Sequence, residues 1–387
     1  MLDISPNATA FALDADQVAI RDMAKGFADD NFAPNAIAWD EAKHFPVTEM
    51  RKAAALGMGG VFVAEEFGGS ELSRLTGTLI FEALATGCPT VSAYMSIHNM
   101  TTWLIDAYGN DEQRRRFLPR LCSMELLASY CLTEPGAGSD AAALTTRAQR
   151  DGEHYVLNGQ KQFISGAGAG DVYLVMARTG SEGAASISAL IVPGDTPGIS
   201  IGANERKMGW NAQPTRAVLF ENARVPLANR LGEEGQGFRI AMSGLDSGRL
   251  NIAACSLGGA QCALDKTLAY MKERKAFGKR LDEFQALQFR LADMATALEA
   301  SRSLLWRAAA AFDRKDANFT QLSAMAKRFV TDACFDVANQ ALQLHGGYGY
   351  LSEYGIEKIV RDLRVHQILE GTNEIMRLIV ARHLVGR

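Results

Sequence analysis

Three long stretches of helical apolar spacing, about 237–272, 284–313 and 320–344, follow one another with short connections, and they narrow the folds open to this chain more than any other feature. Long helices joined this way have one economical arrangement, an antiparallel bundle. The breaker His345-Gly346-Gly347-Tyr348-Gly349 ends the third, and shorter segments follow. The bundle cannot be the whole protein, because 387 residues exceed one ordinary core and predict two or three domains. From about Asp16 to Cys122 the pattern is again helical: Val18, Met23, Ala24 and Phe27 recur at three- to five-residue steps, and Pro34, Gly57 and Gly68-Gly69 punctuate. After about residue 125 the period changes. His154-Tyr155-Val156-Leu157, then Asn158-Gly159, then Gln160 to Ile164 reads as a hairpin, since Asn-Gly supplies the positive-φ pair of a tight turn. Further strands are expected at Val172–Ala177, Ser188–Val192 and Ala217–Phe220. The order helical, β, helical predicts an α+β protein with an N-terminal helical domain (1–124), a middle β domain (125–232) and a C-terminal helical domain (233–387).

Composition removes several function classes. A net charge of -4 gives no basic footprint for nucleic acid or an anionic membrane surface. The longest uncharged run, Leu250 to Leu264, is interrupted by Asn251, Ser256 and Gln261 and falls short of the ~20 apolar residues of a membrane span. Six cysteines lie scattered without metal or redox spacing and read as free thiols in a reducing compartment, and no metal site is expected. With Asp3 near the start and no basic-then-apolar or arginine-rich leader, the chain as given is expected to be cytoplasmic, or a mature mitochondrial matrix protein. Arg114, Arg115, Arg116 and Arg120 read as a solvated helix face.

Several stretches carry chemistry. In His366 to Arg377 the carboxylate of Glu370 follows an apolar pair, precedes Gly371 and stands before a segment with Ile375, Met376, Ile379 and Val380 at helical spacing. Gly371 permits a tight turn. Glu370 would sit inward at a helix mouth, or else in a solvated loop. Tyr130-Cys131-Leu132-Thr133-Glu134-Pro135-Gly136-Ala137-Gly138-Ser139-Asp140 fits G-x-G-x-x-A only loosely, and Pro135 with strands following breaks the required strand-turn-helix context. Its amides and hydroxyls can still hold a flat polar ring or a phosphate, and a plain loop accounts for it equally. Phe163-Ile164-Ser165 offers an aromatic face and a hydroxyl, although Phe163 by itself reads as core. Asp246-Ser247-Gly248-Arg249 puts an acid and a cation on one helix face, an ion pair at least. Arg274 to Gly278 with Phe284-Gln285 suits a pyrophosphate or a helix C-cap equally. Gln343 to Gly347 presents bare backbone, with His345 read as structural. Arg382, seven residues after Ile375, is placed on the apolar side of its helix, where it would snorkel to solvent or else meet an anion.

Together these stretches resemble the acyl-CoA dehydrogenase family along essentially the whole chain, and within it the branch acting on isobutyryl-CoA, through Leu132 to Asp140, Phe163 to Gly168 and Ile368 to Arg377. The resemblance implies a helical domain, a β-barrel and a helical bundle, usually in a homotetramer, holding FAD and passing electrons to an electron-transferring flavoprotein. It implies FAD contacts from Tyr130, Leu132, Thr133, Gly138, Ser139, Phe163, Ile164 and Ser165. Arg274, Phe277, Phe284, Gln285, Gln343, Leu344, His345, Gly346 and Gly347 would reach the flavin of a neighbouring subunit, and Thr372, Asn373 and Glu374 would close the site. Ser139, Asp246, Ser247, Gly248, Arg249 and Arg382 would face the acyl-CoA. It implies that Glu370 takes the α-proton while a β-hydride passes to flavin N5, giving an enoyl-CoA, with the thioester polarised by flavin and the Glu370 amide. In isovaleryl-type relatives the base stands at the position of Gly248, which cannot serve. A free glutamate is too weak a base at its ordinary pKa of ~4.3; a helix N-terminus favours the anion by about 0.3–1 kcal/mol, whereas desolvation can raise a carboxyl by ~3–5 units. Desolvation under a bound acyl chain is expected to win, so that substrate binding makes Glu370 more basic. A short straight-chain or 2-methylbutyryl-CoA dehydrogenase, and a catalytically silent flavin protein, stand as alternatives. Pocket depth is expected to depend on Tyr94, Met95, Ile97 and Met100.

Overall fold

The computed structural model describes residues 13–181 and 183–386; Asp3, on which the leader reading rests, lies outside them. The first helical body contains α1 (Ala15–Asn31), α2 (Ala36–Ala42), α3 (Val47–Ala54), α4 (Arg74–Gly87), α5 (Pro89–Tyr108) and α6 (Asp111–Cys122). Their starts are encoded locally. Asp14 with Gln17 and Asn110 with Gln113 form reciprocal capping boxes, and the Ser73 hydroxyl accepts from Thr76 N. Pro89 opens α5, where a missing N–H is harmless.

The middle of the chain forms β1 (Ala128–Cys131), β2 (Arg147–Asp151), β3 (His154–Ser165), β4 (Val172–Arg178), β5 (Ile187–Pro193), β6 (Ile199–Ile201), β7 (Thr215–Pro226) and β8 (Arg230–Leu231). Pairing runs β6-β7-β3-β2-β4-β5-β8, with β1 added parallel to β4. On β4 the odd residues Tyr173, Val175 and Ala177 face a core shared with Leu190 and Val192 of β5. The even residues Val172, Leu174 and Met176 pack with Ile187, Ala189 and Ile191 against Leu104 and Ile240 from the helices. Burial on both faces accounts for the unbroken apolar run, where a half-exposed strand would alternate.

The Asn158-Gly159 hairpin expected from sequence is not formed. β3 runs straight through both residues, and the turn lies earlier, at Gly152 between β2 and β3. Asn-Gly lies opposite a bulge instead: between Leu157 and Gly159 the β3–β7 register shifts so that Asn158 faces both Glu221 and Asn222 of β7, and its side chain bonds Asn222. Gly159 adopts φ +146°, and a Cβ there would lie 2.5 Å from Thr146 Oγ1. The dipeptide is selected by close backbone approach rather than by a turn.

The C-terminal body comprises α7 (Gly237–Glu273), a short hairpin of β9 (Lys275–Ala276) and β10 (Lys279–Arg280), then α8 (Gln285–Asp313), α9 (Phe319–His345), α10 (Ile356–Arg364) and α11 (Asn373–Leu384). The three long helices match their predicted spans within a residue or so. α7 is buried almost all round from Asp246 to Ala260, which explains its uncharged run. No helix among the described residues is long and apolar enough to cross a membrane.

Candidate active site

A cavity of about 650 Å³ opens where the sheet meets α5, α7 and the segment before α11. One wall is the loop after β1, lined by Leu132, Thr133, Gly138 and Ser139. Its shape is set from behind by a buried carboxylate. Glu134 accepts from Thr145 N (2.6 Å), Thr145 Oγ1 (2.8 Å) and Thr146 N (2.9 Å), and from Lys161 Nζ on β3 at 2.8 Å. Lys161 is fully buried and also donates to Leu132 O at 3.0 Å. Paired backbone bonds between Glu134 and Ala137 close the Pro135-Gly136 turn. Burial alone would raise the Glu134 carboxyl, but the Lys161 charge and these bonds hold it down at about 2.

The next wall is the end of β3. Phe163 sits in the left-handed region, φ +58°, with 62% of its surface exposed. Ile164 and Ser165 line the cavity beside it.

Glu370 forms part of the opposite wall. Val365–Gln367 is a short 3-10 turn, Thr372 caps α11 by accepting from Ile375 N at 3.3 Å, and between them Glu370 and Gly371 both take positive φ, 56° and 87°. The residue as a whole is half-buried, yet Oε2 is buried without a hydrogen-bond partner. Burial pushes the carboxyl up to about 7, against the opposing pull of Arg249 and Lys327. The helix-mouth placement expected from sequence is the one observed, and burial within the protein itself already raises the carboxyl.

Gly248 makes the space for that carboxyl. A Cβ on it would lie 2.3 Å from Glu370 Oε2 and 2.9 Å from Met100 Sδ. Gly248→Ala should therefore leave folding intact, because the clash falls on the end of a flexible side chain. Turnover is expected to fall by about 10²-fold through misplacement of the carboxyl; comparison of kcat with the thermal midpoint of the same variant checks this.

The remaining predicted residues divide. Arg249 lines the cavity, donates from Nη1 to Asp246 Oδ1 at 2.6 Å and from Nε to Glu370 O at 3.3 Å. Asp246 is committed to Arg249 and to Thr320 Oγ1, and Ser247 accepts from the buried Arg74, so neither side chain lines the cavity. Tyr130 lines it and donates to Ala241 O. Thr372 caps its helix, Glu374 is exposed, and Asn373 is buried with its amide bonded to Thr331 and Asp332. Ile97 and Met100 line the cavity, whereas Tyr94 and Met95 are fully buried and do not. Arg382 departs from expectation: it is exposed, and on α11 only Asn373 and Met376 are fully buried. The helix lies on the surface of α9 with a narrow contact stripe, so a seven-residue step from Ile375 does not reach the interior.

Arg274 and Gln343 to Gly347 meet at a second cavity of about 700 Å³ that shares no lining residue with the first. Arg274 is the C-cap of α7, and its guanidinium lies over Tyr348 at 5.1 Å. Leu344 and His345 are buried, His345 stacking on Tyr270 with Nδ1 against Ala341 O, a structural role. Gly346 and Gly347 are open on their Cβ sides. Phe277 is 96% exposed and packs edge-on to Phe284, next to the exposed Gln285.

Trp210 was not singled out from sequence. It lines the first cavity, donates from N to Asp362 Oδ1 (2.7 Å) and from Nε1 to His366 Nε2 (3.2 Å). His366 Nδ1 therefore carries the proton and donates to Ser256 Oγ at 2.6 Å. Burial pushes this imidazole down to about 3, so it stays neutral.

Family descriptions for the acyl-CoA dehydrogenase N-terminal, middle and C-terminal domains match residues 14–125, 129–223 and 235–385. The chain is 54% identical over 376 residues to the mitochondrial isobutyryl-CoA dehydrogenase of Bos taurus, covering 97% of this chain and 90% of that one. The solved butyryl-CoA dehydrogenase of Megasphaera elsdenii is similar with a TM-score of 0.94 at 36% identity, covering 97% of this chain and 100% of the other. A structure described as the FAD complex of PigA gives 0.93 at 31% identity, covering 97% and 99%.

Proposed function

The chain belongs to the acyl-CoA dehydrogenase family, and on that premise we propose that it oxidises a short branched acyl-CoA of the isobutyryl type to the enoyl-CoA, with Glu370 as base. The observation that carries the reading is a buried carboxyl oxygen without a partner, in the cavity wall, in a room that Gly248 leaves empty. An α-proton beside a thioester is weakly acidic, and a desolvated carboxylate is the stronger base for it.

The first cavity fits a flavin. Its size is that of a ligand pocket, the exposed Phe163 ring offers a face to a planar system, and Thr133 and Ser165 offer polar groups to its edge. FAD, when bound, supplies the two-electron acceptor for the hydride leaving the β-carbon. The chain itself supplies the rest: Glu370 takes the α-proton, Arg249 fixes the backbone of Glu370, and the apolar Ile97, Met100 and Leu245 exclude water from the acyl end. Thr372 and Glu374 would close the site from the α11 side. The second cavity, with Arg274 and Gln343 to Gly347, together with Phe277, Phe284 and Gln285, would serve the flavin of a neighbouring subunit in a homotetramer. An electron-transferring flavoprotein would be the electron acceptor.

Anaerobic mixing of the flavin-loaded protein with isobutyryl-, 2-methylbutyryl-, butyryl-, isovaleryl- and octanoyl-CoA tests the reading. Bleaching of the flavin should be fastest with isobutyryl-CoA. Preference for octanoyl-CoA would overturn the substrate, and no bleaching with any thioester would overturn the activity.

A further inference from the structure

Two consecutive carbonyls in the catalytic turn each end on a buried cation. Arg249 Nε reaches Glu370 O, and on the other side Lys327 Nζ from α9 donates to Gly371 O at 2.7 Å. Lys327 is fully buried and is absent from the cavity wall. Its second acceptor is Asn373 Oδ1 at 2.9 Å, so the lysine spans the turn from Gly371 to the first residue of α11. Asn373 is fixed in turn by Thr331 and Asp332, both on α9.

Burying an ammonium among neutral oxygens is unfavourable unless its donors find acceptors. The lysine lies on the buried face of α9 with Ser323, Ala324, Val330, Thr331 and Cys334, where packing alone does not require a charge. The turn it grips is one that needs holding. A glutamate at φ 56° is strained, and strain of that kind persists only where neighbours over-determine it.

We propose that Lys327 is a positioning residue for the base: by fixing the Gly371 carbonyl and Asn373 it holds Glu370 in the conformation that sends its carboxyl into the cavity. The inference rests on the reading of Glu370 as the base. The charged and titratable groups facing the pair are Arg249 and Cys255 on α7, Asp332 on α9, Glu374 on α11, Tyr130 on β1 and His366 in the preceding turn. Arg249 and Lys327 itself pull the Glu370 carboxyl downward against its burial. Burial also pulls the Lys327 ammonium down to about 7, so it is charged on the acidic side of that value, and its removal should move the acidic limb of the rate profile to higher pH.

The test uses the flavin-loaded enzyme with isobutyryl-CoA and compares Lys327→Met, Asn373→Ala and Glu370→Gln. Lys327→Met should lower kcat by about 10²-fold, the scale of a small misplacement of a reacting group, with KM nearly unchanged because the lysine does not line the cavity. Its acidic limb should move up, and exchange of the substrate α-proton with solvent should slow in parallel. Asn373→Ala, which leaves the lysine in place and removes one acceptor, should shift kcat and exchange in the same direction by less. It carries the test if the methionine variant is not recovered folded. Wild-type kcat and limb in Lys327→Met, or in Asn373→Ala where that variant carries the test, would overturn the proposal, as would a loss confined to KM. If Glu370→Gln itself turns over normally, the base reading fails; if only the Lys327 and Asn373 variants behave as wild type, the base reading stands and the positioning role falls.

Discussion

Glu370→Gln is expected to abolish α-proton exchange and lower kcat by about 10²- to 10⁴-fold, the range contributed by a positioned general base, while flavin content and acyl-CoA binding remain. The amide matches the carboxyl in size, so the room left by Gly248 stays filled and Arg249 keeps its bond to the Glu370 carbonyl. What is lost is the proton acceptor alone. In the unmodified protein kcat/KM should rise with pH through about 7, because burial raises the carboxyl to that value and only its ionised form can act. The glutamine variant should lose that limb. Near-normal turnover in it would refute the assignment.

Glu134→Ala should be among the most destabilising single changes in the sheet region, by about 3–5 kcal/mol, the usual consequence of leaving a buried charge without its partner. The alanine would strand Lys161 and release Thr145 N and Thr146 N together. Lys161→Met should be milder, since methionine suits the apolar surroundings and Glu134 keeps three donors from Thr145 and Thr146. The order of unfolding midpoints, Glu134→Ala below Lys161→Met below the unmodified chain, checks the argument. The pH sign follows. A carboxyl held at about 2 instead of its ordinary 4.5 contributes stability that is complete above 4.5 and is lost as pH falls toward 2. Glu134→Ala should therefore show a shallower acid loss than the unmodified chain.

Much of this was readable in the chain. Long periodic helices such as α7, α8 and α9 announced themselves, because one apolar stripe repeated over many turns leaves few other options. Glu370, the loop from Leu132 and the Phe163 to Ser165 segment were each ambiguous alone, since a solvated loop or a plain core accounts for the same residues, and became legible only together, through the family resemblance their order carries. Asn158-Gly159 misled, since the same dipeptide serves a tight turn and a place opposite a bulge under close approach. Arg382 misled because spacing gives a face, and a surface helix buries only part of it. Lys161, Lys327 and Glu134 were missed as polar residues in apolar settings. A signal existed: Lys161 falls on the inward parity of Tyr155 and Leu157, and Lys327 falls at helical steps from Ser323, Val330 and Cys334. Charges on buried faces are the residues that packing does not explain. Trp210 and His366 left no such trace, as their pairing joins distant parts of the chain.

That pairing bears on the order in which the protein assembles. The bonds from Trp210 to Asp362 and His366 close separations of 152 and 156 residues, and contacts so remote are among the slowest for a chain to find. The bundle and the sheet can each organise through nearer neighbours, but the cavity wall they share cannot exist until both have done so. A newly made chain should therefore become compact before it becomes competent, and the indole of Trp210 would report the moment when the second follows the first.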